Sequence, residues 1–519
     1  MGCVVGKRVI PGLEGEEGSV DEYEEGPLSE AQIVKRIVAC ERTLVAPMAT
    51  ASGHPYTLRY AYVSQRGYYP NALDKENQDA FSVVTSVNGC RHAHLFGVFD
   101  GHGSTGDLCS HFAAEKVPEH FCAALPGSAA ELAAASDDQV KRALITSYRK
   151  TNADLRESAV DDSLSGTTAI GVFLKGHMLY VANTGDSRAI LISSDDGGFG
   201  AVNGHGPANG HAAGGGAGEH DLAKQKALGG GGGAPERFLA EALSIDQTPF
   251  RQDERERVRR AGAVVMTMDQ IEGLEPIHDN WGTQLGEEID ESGDPPRVWH
   301  QDLDRPGCAF TRSLGDSVGE AIGVVPDPEL LIRELAPGDK YVVLASDGVF
   351  EFITSQSVAE MVGKYGDPLV AARKVVHEAY KLWLRYEVRT DDITIIVLQF
   401  EGLRAAMAKE LAAAGHSPGA PGIGRKGSAA PGGAVRDRPA GMVAQEQRPV
   451  RRFFSKAKRQ VIMEQGGAED GAGDYDPAEH LVPKAPEETE RLRAMVASIF
   501  LFQQMDREQL ETILGVMSA

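Results

Sequence analysis

Arg389-Thr390-Asp391-Asp392, followed by Ile393-Thr394-Ile395-Ile396-Val397-Leu398-Gln399-Phe400, is the stretch that decides how this chain reads. A short apolar run rich in β-branched residues and bounded by acids reads as a buried strand, and the aspartate at its mouth falls at a sheet edge. The same form recurs three times with the acid at the far end: HLFGVFD closes on Asp100, LYVANTGD on Asp186 and YVVLASD on Asp347. Gly101 and Gly103 follow Asp100, Gly348 follows Asp347 and Gly185 precedes Asp186, which lets backbone carbonyls approach a ligand closely. Hard divalent cations are bound by carboxylate and carbonyl oxygens, so Asp100, Asp186, Asp347 and Asp391 read together as one metal site.

Along the chain these acids fall within a longer series. It runs Lys75-Glu76-Asn77-Gln78-Asp79, Asp100-Gly101-His102-Gly103, Gly166-Thr167-Thr168-Ala169, Gly185-Asp186-Ser187-Arg188, Phe310-Thr311-Arg312-Ser313-Leu314-Gly315-Asp316, Ala345-Ser346-Asp347-Gly348 and Asp391-Asp392-Ile393-Thr394. In this order the series resembles the motifs of the metal-dependent Ser/Thr phosphatases, the protein phosphatase 2C family. The resemblance covers about residues 57 to 400. Stretches such as SQRGYYPNALDKENQDAF and DQTPFRQDERERVRRAGA look closest to the plant and algal branch, where this phosphatase is fused to a cyclic-nucleotide-binding module and a protein kinase.

Spacing alone gives an α+β fold with a large core. The resemblance implies an α-β-β-α sandwich of two antiparallel sheets flanked by helices, with metals in a cleft at one sheet edge. It also implies phosphoprotein substrates, whose phosphoserine and phosphothreonine are hydrolysed by a hydroxide bridging two Mg2+ or Mn2+ ions. Asp100 would bridge the ions, the Gly101 carbonyl would complete one, and Asp347 and Asp391 would hold the other. Asp186 with Asp347 would form a looser third site, and Asp79 would hydrogen-bond metal waters. His102 would act as general acid on the leaving oxygen. The chain departs from the family pattern at Gln78, where a Glu is common, and at Asp74, which takes the place of a phosphate-holding Arg. Lys75 or Arg66 is then left to bind phosphate, although a lysine lacks the guanidinium fork. Arg312 reads as the ion-pair partner of Asp316 or of a neighbour, and Glu351 stands where several relatives carry Asp. These departures keep a catalytically weak scaffold protein as the competing reading.

Lys plus Arg is 52 against 75 for Asp plus Glu, and the formal charge of -23 argues against generic nucleic-acid binding. The six cysteines show no CxxC pair, as expected of a reduced, cytoplasmic protein. His92, His94, His111 and His120 read as packed or solvated side chains, not zinc ligands. No apolar run approaches the roughly 18 residues that a membrane span requires. Met1-Gly2-Cys3 resembles an N-myristoylation start with an adjacent palmitoylation site, which would attach the protein to the plasma membrane.

Composition divides the chain further. Residues 1–50 read as a flexible lead with a helical candidate at Ser29 to Thr43, and residues 51–402 as the catalytic domain. Within that domain, 195–236 is a Gly-rich insertion expected to be disordered, and 266–306 corresponds to a flap beside the site. A hairpin is expected over 169–184, and amphipathic helices over Asp137 to Val160 and over Pro368 to Tyr386, the latter with Val370, Val375 and Leu382 on its apolar positions. Residues 403–480 read as a linker. Residues 481–519 resemble the opening helices of a cyclic-nucleotide-binding domain without its phosphate-binding cassette, so cyclic nucleotide is not expected to bind this chain.

Overall fold

The run 393–400 is buried on both faces. Ile393, Ile395 and Val397 join one apolar cluster with Val358, Val375 and Trp383, whereas Ile396, Leu398 and Phe400 join another with Phe96, Val172 and Val181. Successive strand side chains point to opposite faces, so a strand apolar on both must lie between two layers. The computed structural model describes residues 3–5, 36–70, 72–195, 236–279, 281, 294–387 and 389–413.

The chain opens with strands β1 (Cys3–Val5), β2 (Ile37–Ala39), β3 (Leu44–Ala49), β4 (Pro55–Gln65), β5 (Asp79–Thr85) and β6 (Ala93–His102). Helices α1 (Gly106–Ala124) and α2 (Asp137–Glu157) follow, then β7 (Gly166–Thr167), β8 (Ala169–Lys175), β9 (Met178–Thr184), β10 (Arg188–Asp195) and β11 (Arg237–Ala242). Next come α3 (Gln252–Arg260), β12 (Val264–Met266), β13 (Arg297–Trp299), β14 (Pro306–Cys308), β15 (Leu314–Gly315), β16 (Glu329–Glu334) and β17 (Asp339–Ala345). The series ends with α4 (Ser355–Tyr365), α5 (Pro368–Tyr386), β18 (Ile393–Glu401) and α6 (Leu403–Ala413).

One sheet has the order β1-β5-β6-β8-β9-β16 and the other β11-β10-β17-β18-β4-β2, with β3 beside β2 on the edge of β4. Helices α1 and α2 cover the outer face of the first sheet, where Phe121, Leu144 and Tyr148 meet Leu95, Phe99 and Phe173. Helices α4 and α5 cover the second. The result is the expected α-β-β-α sandwich. The hairpin β8–β9 and helix α2 stand where the sequence placed them, and Ser136 with Gln139 forms a capping box at the start of α2. Pro368 begins α5, where Asp367 accepts from the N–H groups of Leu369 and Val370. Val375 is buried and Leu382 packs partly against the same cluster, but Val370 is 44% exposed. It lies on the helix face that also carries the exposed Arg373, Lys374 and His377.

The lead and the linker both give up residues to the domain. Ile37–Ala39 is a strand, not the end of a helix, because it pairs with the open edge of β4, and that pairing outweighs local propensity. Leu44–Ala49 pairs with the same strand, so the domain begins by residue 36. Leu403 and Ala406 of α6 enter the cluster between the sheets, which carries the domain past 402. The insertion leaves and returns within a hairpin, since β10 and β11 pair from Ile190 with Ala242 to Asp195 with Arg237. The flap region carries the small sheet β12-β13-β14, with Trp281 and Trp299 buried. Gly2, the remainder of the lead to 35, the insertion 196–235 and everything from 414, including the segment that resembles a nucleotide-binding module, lie outside the described residues. Among the described residues no helix is long and apolar enough to cross a membrane.

Met48 of β3 is 1% exposed and packs between the sheets. Met48→Ala is therefore expected to lower the unfolding free energy by about 2–5 kcal/mol, read from denaturant melts. An unchanged midpoint would return residues up to 50 to the lead.

Candidate active site

Two sheets bring their acids to one edge. Asp79 and Asp100 are register partners at the mouths of β5 and β6. Ala345 pairs with Ile395, so Asp347, just past β17, stands beside Asp391 and Asp392, just before β18. Ser346 N–H donates to the Thr394 carbonyl at 3.0 Å, and Thr394 N–H donates to Ser346 Oγ at 3.0 Å. A Cβ on Gly348 would lie 2.1 Å from the Asp392 carbonyl oxygen, so only glycine permits this approach. Ser346 Oγ then donates to Asp79 Oδ2 at 2.8 Å, tying one sheet to the other at the acids themselves.

The acids raise one another. Burial, then Asp79, Asp347, Asp391 and Asp186, push the Asp100 carboxyl well above the usual carboxylate range. Burial and then Asp392 do the same to Asp79, against opposing hydrogen bonds from Ser346 and Thr394. Burial and Asp391 lift Asp392 to about 6, although the N–H groups of Gly67 and Gln78 hold it with hydrogen bonds of 2.6 and 2.8 Å. Asp79 Oδ1 is buried with no hydrogen-bond partner. Such a group is costly unless a cation completes it, and oxygen donors of this kind suit Mg2+ or Mn2+. The residues present fit a divalent metal.

The neighbours fall into two groups. A Cβ on Gly101 would lie 2.1 Å from the Gly106 carbonyl oxygen and 2.6 Å from that of Gln78, so the backbone beside Asp100 is closely packed. Gln78, which stands where the family commonly has a Glu, donates its side-chain amide to the Gly103 carbonyl at 2.7 Å. Lys75 Nζ lies 3.9 Å from the centre of the Tyr69 ring, and the Tyr69 hydroxyl donates to Asp391 Oδ1 at 2.6 Å. Lys75 thus borders the acids, whereas Arg66 donates to the Leu73 carbonyl at 3.2 Å. Arg312 does not reach Asp316. It pairs with Glu254 at 2.7 Å and Glu329 at 3.4 Å.

Asp316 is taken by His102, whose Nε2 lies 2.6 Å from Asp316 Oδ2. Burial would lower the imidazole pKa, but the Asp316 carboxylate and Asp186 outweigh it and hold His102 above its ordinary value. The charge of Asp186 bears on both Asp100 and His102, which puts it at the same edge. Tyr69, Ser346 and Asp392 carry no role in the sequence reading, which treats Asp316 only as a partner for Arg312. The doubled Asp391-Asp392 was the one visible hint.

Among the described residues, one trio of acids brings carboxylate oxygens within 4.8 Å of one another, and it lies elsewhere: Asp253, Glu254 and Glu329. Arg251, Arg257 and Arg312 already neutralise that trio. Burial would raise the Glu254 carboxyl, but Arg312 and Arg257 hold it below its usual range. It is an ion-pair network and has no need of a metal. His94 and His120 are buried against the Pro47 carbonyl and Asp154, while the half-buried His92 and His111 face the Pro47 and Asp107 carbonyls.

A carboxyl whose folded-state pKa is raised destabilises the fold progressively as pH climbs from about 4 through the raised value. For Asp392 that value is about 6. A bound cation removes the penalty, so Mn2+ is expected to raise Tm more at about pH 7.5 than at about pH 5 in scanning calorimetry. Equal shifts at both would contradict the crowding of these acids.

A family model described as Protein phosphatase 2C matches residues 71–210 and 229–382. Probable protein phosphatase 2C 35 of Arabidopsis thaliana is 42% identical over 349 residues, covering 67% of this chain and 85% of that protein. Probable protein phosphatase 2C 64 of Oryza sativa subsp. japonica is 29% identical, covering 63% of each chain. The crystal structure of serine-threonine phosphatase 2C from Toxoplasma gondii shares 17% identity, covers 69% of this chain and 99% of that one, and gives a TM-score of 0.49. The chain belongs to the protein phosphatase 2C family and is a protein serine/threonine phosphatase.

Proposed function

We propose that this phosphatase hydrolyses phosphoserine and phosphothreonine in protein substrates with Mg2+ or Mn2+ held at the shared edge of its two sheets. The observation that carries the reading is the meeting of Asp79 and Asp100 with Asp347 and Asp391, with one buried carboxylate oxygen left without a partner. Asp100, the Gly101 carbonyl, Asp347 and Asp391 would hold two ions, and Asp186 with Asp347 a third. When bound, the ions neutralise the phosphoryl group and activate the nucleophile. Asp79, fixed by Ser346, orients the groups around the ions. His102 gives a proton to the seryl or threonyl oxygen as it leaves. Lys75 offers the phosphate a point charge next to Asp391, and Arg66, whose guanidinium donates to the Leu73 carbonyl, is the second cation proposed for that task.

Hydrolysis of a phosphothreonine peptide is expected to require Mn2+, to stop with EDTA, and to fall in Asp347→Asn by more than the about 10–100-fold typical of outer-shell changes. Turnover without metal at the level of the Mn2+ reaction would sink the reading. Loss of one charge-assisted contact costs about 1.5 kcal/mol, so Lys75→Ala is expected to raise KM about tenfold, and more than Arg66→Ala does. Should Arg66→Ala have the larger effect, the two assignments exchange.

A further inference from the structure

His102 and Asp316 lie 214 positions apart in sequence and meet at 2.6 Å. The contact is tightly constrained. Ser313 Oγ donates to Asp316 Oδ2 at 2.6 Å, and Asp316 N–H donates to the Ser165 carbonyl at 2.9 Å. Asp316 itself holds a left-handed backbone, φ 50 and ψ 51, which few residues other than glycine accept and which aspartate tolerates better than most. Gly166, the strand partner of His102, leaves the space that Asp316 occupies, since a Cβ there would lie 2.2 Å from Asp316 Oδ2. The Phe310 ring packs on the imidazole with centroids 4.3 Å apart. The Asp316 side chain is 2% exposed while that of His102 is 26% exposed. A carboxylate is removed from water at this point, and the imidazole it holds is left open on one side.

We propose that Asp316 is a positioning residue that fixes the His102 ring for delivery of a proton to the leaving seryl or threonyl oxygen; the proposal rests on the reading of His102 as general acid. An ionised carboxylate only accepts hydrogen bonds, so the Nε2 nitrogen that faces Asp316 must carry its hydrogen. That leaves Nδ1 as the ring nitrogen that donates to substrate. As the oxygen of a hydroxide, formed when water loses a proton to solvent, bonds to phosphorus and keeps its remaining hydrogen in the released phosphate, the bond from phosphorus to the seryl or threonyl oxygen breaks and leaves its electron pair on that oxygen. The oxygen takes the Nδ1 proton, Nε2–H remains on Asp316, and Asp316 remains a carboxylate throughout. Ser313, Gly166 and Phe310 hold the aspartate and the ring at fixed angles, so the proton is aimed before substrate arrives.

A structural staple between β6 and the segment around β15 would explain the same contact, and the leaving group separates the two. The p-nitrophenolate anion departs without a proton, whereas the alkoxide of phosphothreonine does not. The measured quantity is the ratio of kcat on a phosphothreonine peptide to kcat on p-nitrophenyl phosphate, with Mn2+, for the wild-type chain, Asp316→Asn and His102→Ala. General acids contribute about 10^2–10^4-fold, and both variants are expected to lower the ratio at least about tenfold. If Asp316→Asn folds poorly, Ser313→Ala removes one hydrogen bond to the carboxylate and is expected to lower the ratio in the same direction by less. A lowered ratio in His102→Ala with an unchanged ratio in Asp316→Asn and Ser313→Ala would overturn the positioning role and leave the general acid standing. An unchanged ratio in His102→Ala would remove the general acid, and the proposal with it.

Discussion

Repulsion among carboxylates drawn from two sheets is the constraint on which this molecule depends. Asp79 and Asp100 arrive on paired strands of one sheet, Asp347, Asp391 and Asp392 on paired strands of the other, and the two sets meet across the sandwich. Packing fixes them there. Val342, Leu344, Ile396 and Leu398 of one sheet interdigitate with Phe81, Phe96, Val98 and Val172 of the other, so the acids cannot separate without opening the apolar layer. The burial that stabilises the fold is also what forces the charges together, and a divalent cation held there would offset them.

Around this edge the backbone is as constrained as the side chains. Gly101 lies against Gly106 and Gln78, Gly348 against Asp392, and Gly166 against Asp316. Each glycine removes a Cβ so that two segments distant in sequence approach closely. Asp392 closes the loop between β4 and β5 by accepting from the N–H groups of Gly67 and Gln78, and Tyr69 in that loop reaches Asp391. The two departures from the family pattern, Gln78 and Asp74, both fall in this loop, and Lys75 follows the second. Gln78 supports the Gly103 carbonyl, and Lys75 rests on Tyr69 next to the acids. The loop thus brings Gln78 and Lys75 to the border of the acids without adding a guanidinium there.

The acids could be read from sequence because each ends or begins an apolar run, and such a run fixes both the strand and the position of its mouth. The same local logic gave the β8–β9 hairpin and the α2 helix. What could not be read depends on partners far along the chain. Ser346 and Asp79 are 267 positions apart, and nothing near either announces the other. Arg312 is nearer in sequence to Asp316, but Glu254 and Glu329 claim it, which frees Asp316 for His102. Ile37–Ala39 looked helical because its pattern was read alone, while the open edge of β4 decided its conformation. Sequence carried the strand ends, and tertiary pairing decided which polar groups meet there.

The proposed cation site is the sheet edge, and not the arginine-neutralised trio of Asp253, Glu254 and Glu329. Anomalous scattering from crystals grown with Mn2+ tests it directly. Peaks are expected in contact with Asp100, Asp347 and Asp391. Peaks at Asp253, Glu254 and Glu329 with none at the sheet edge would contradict it.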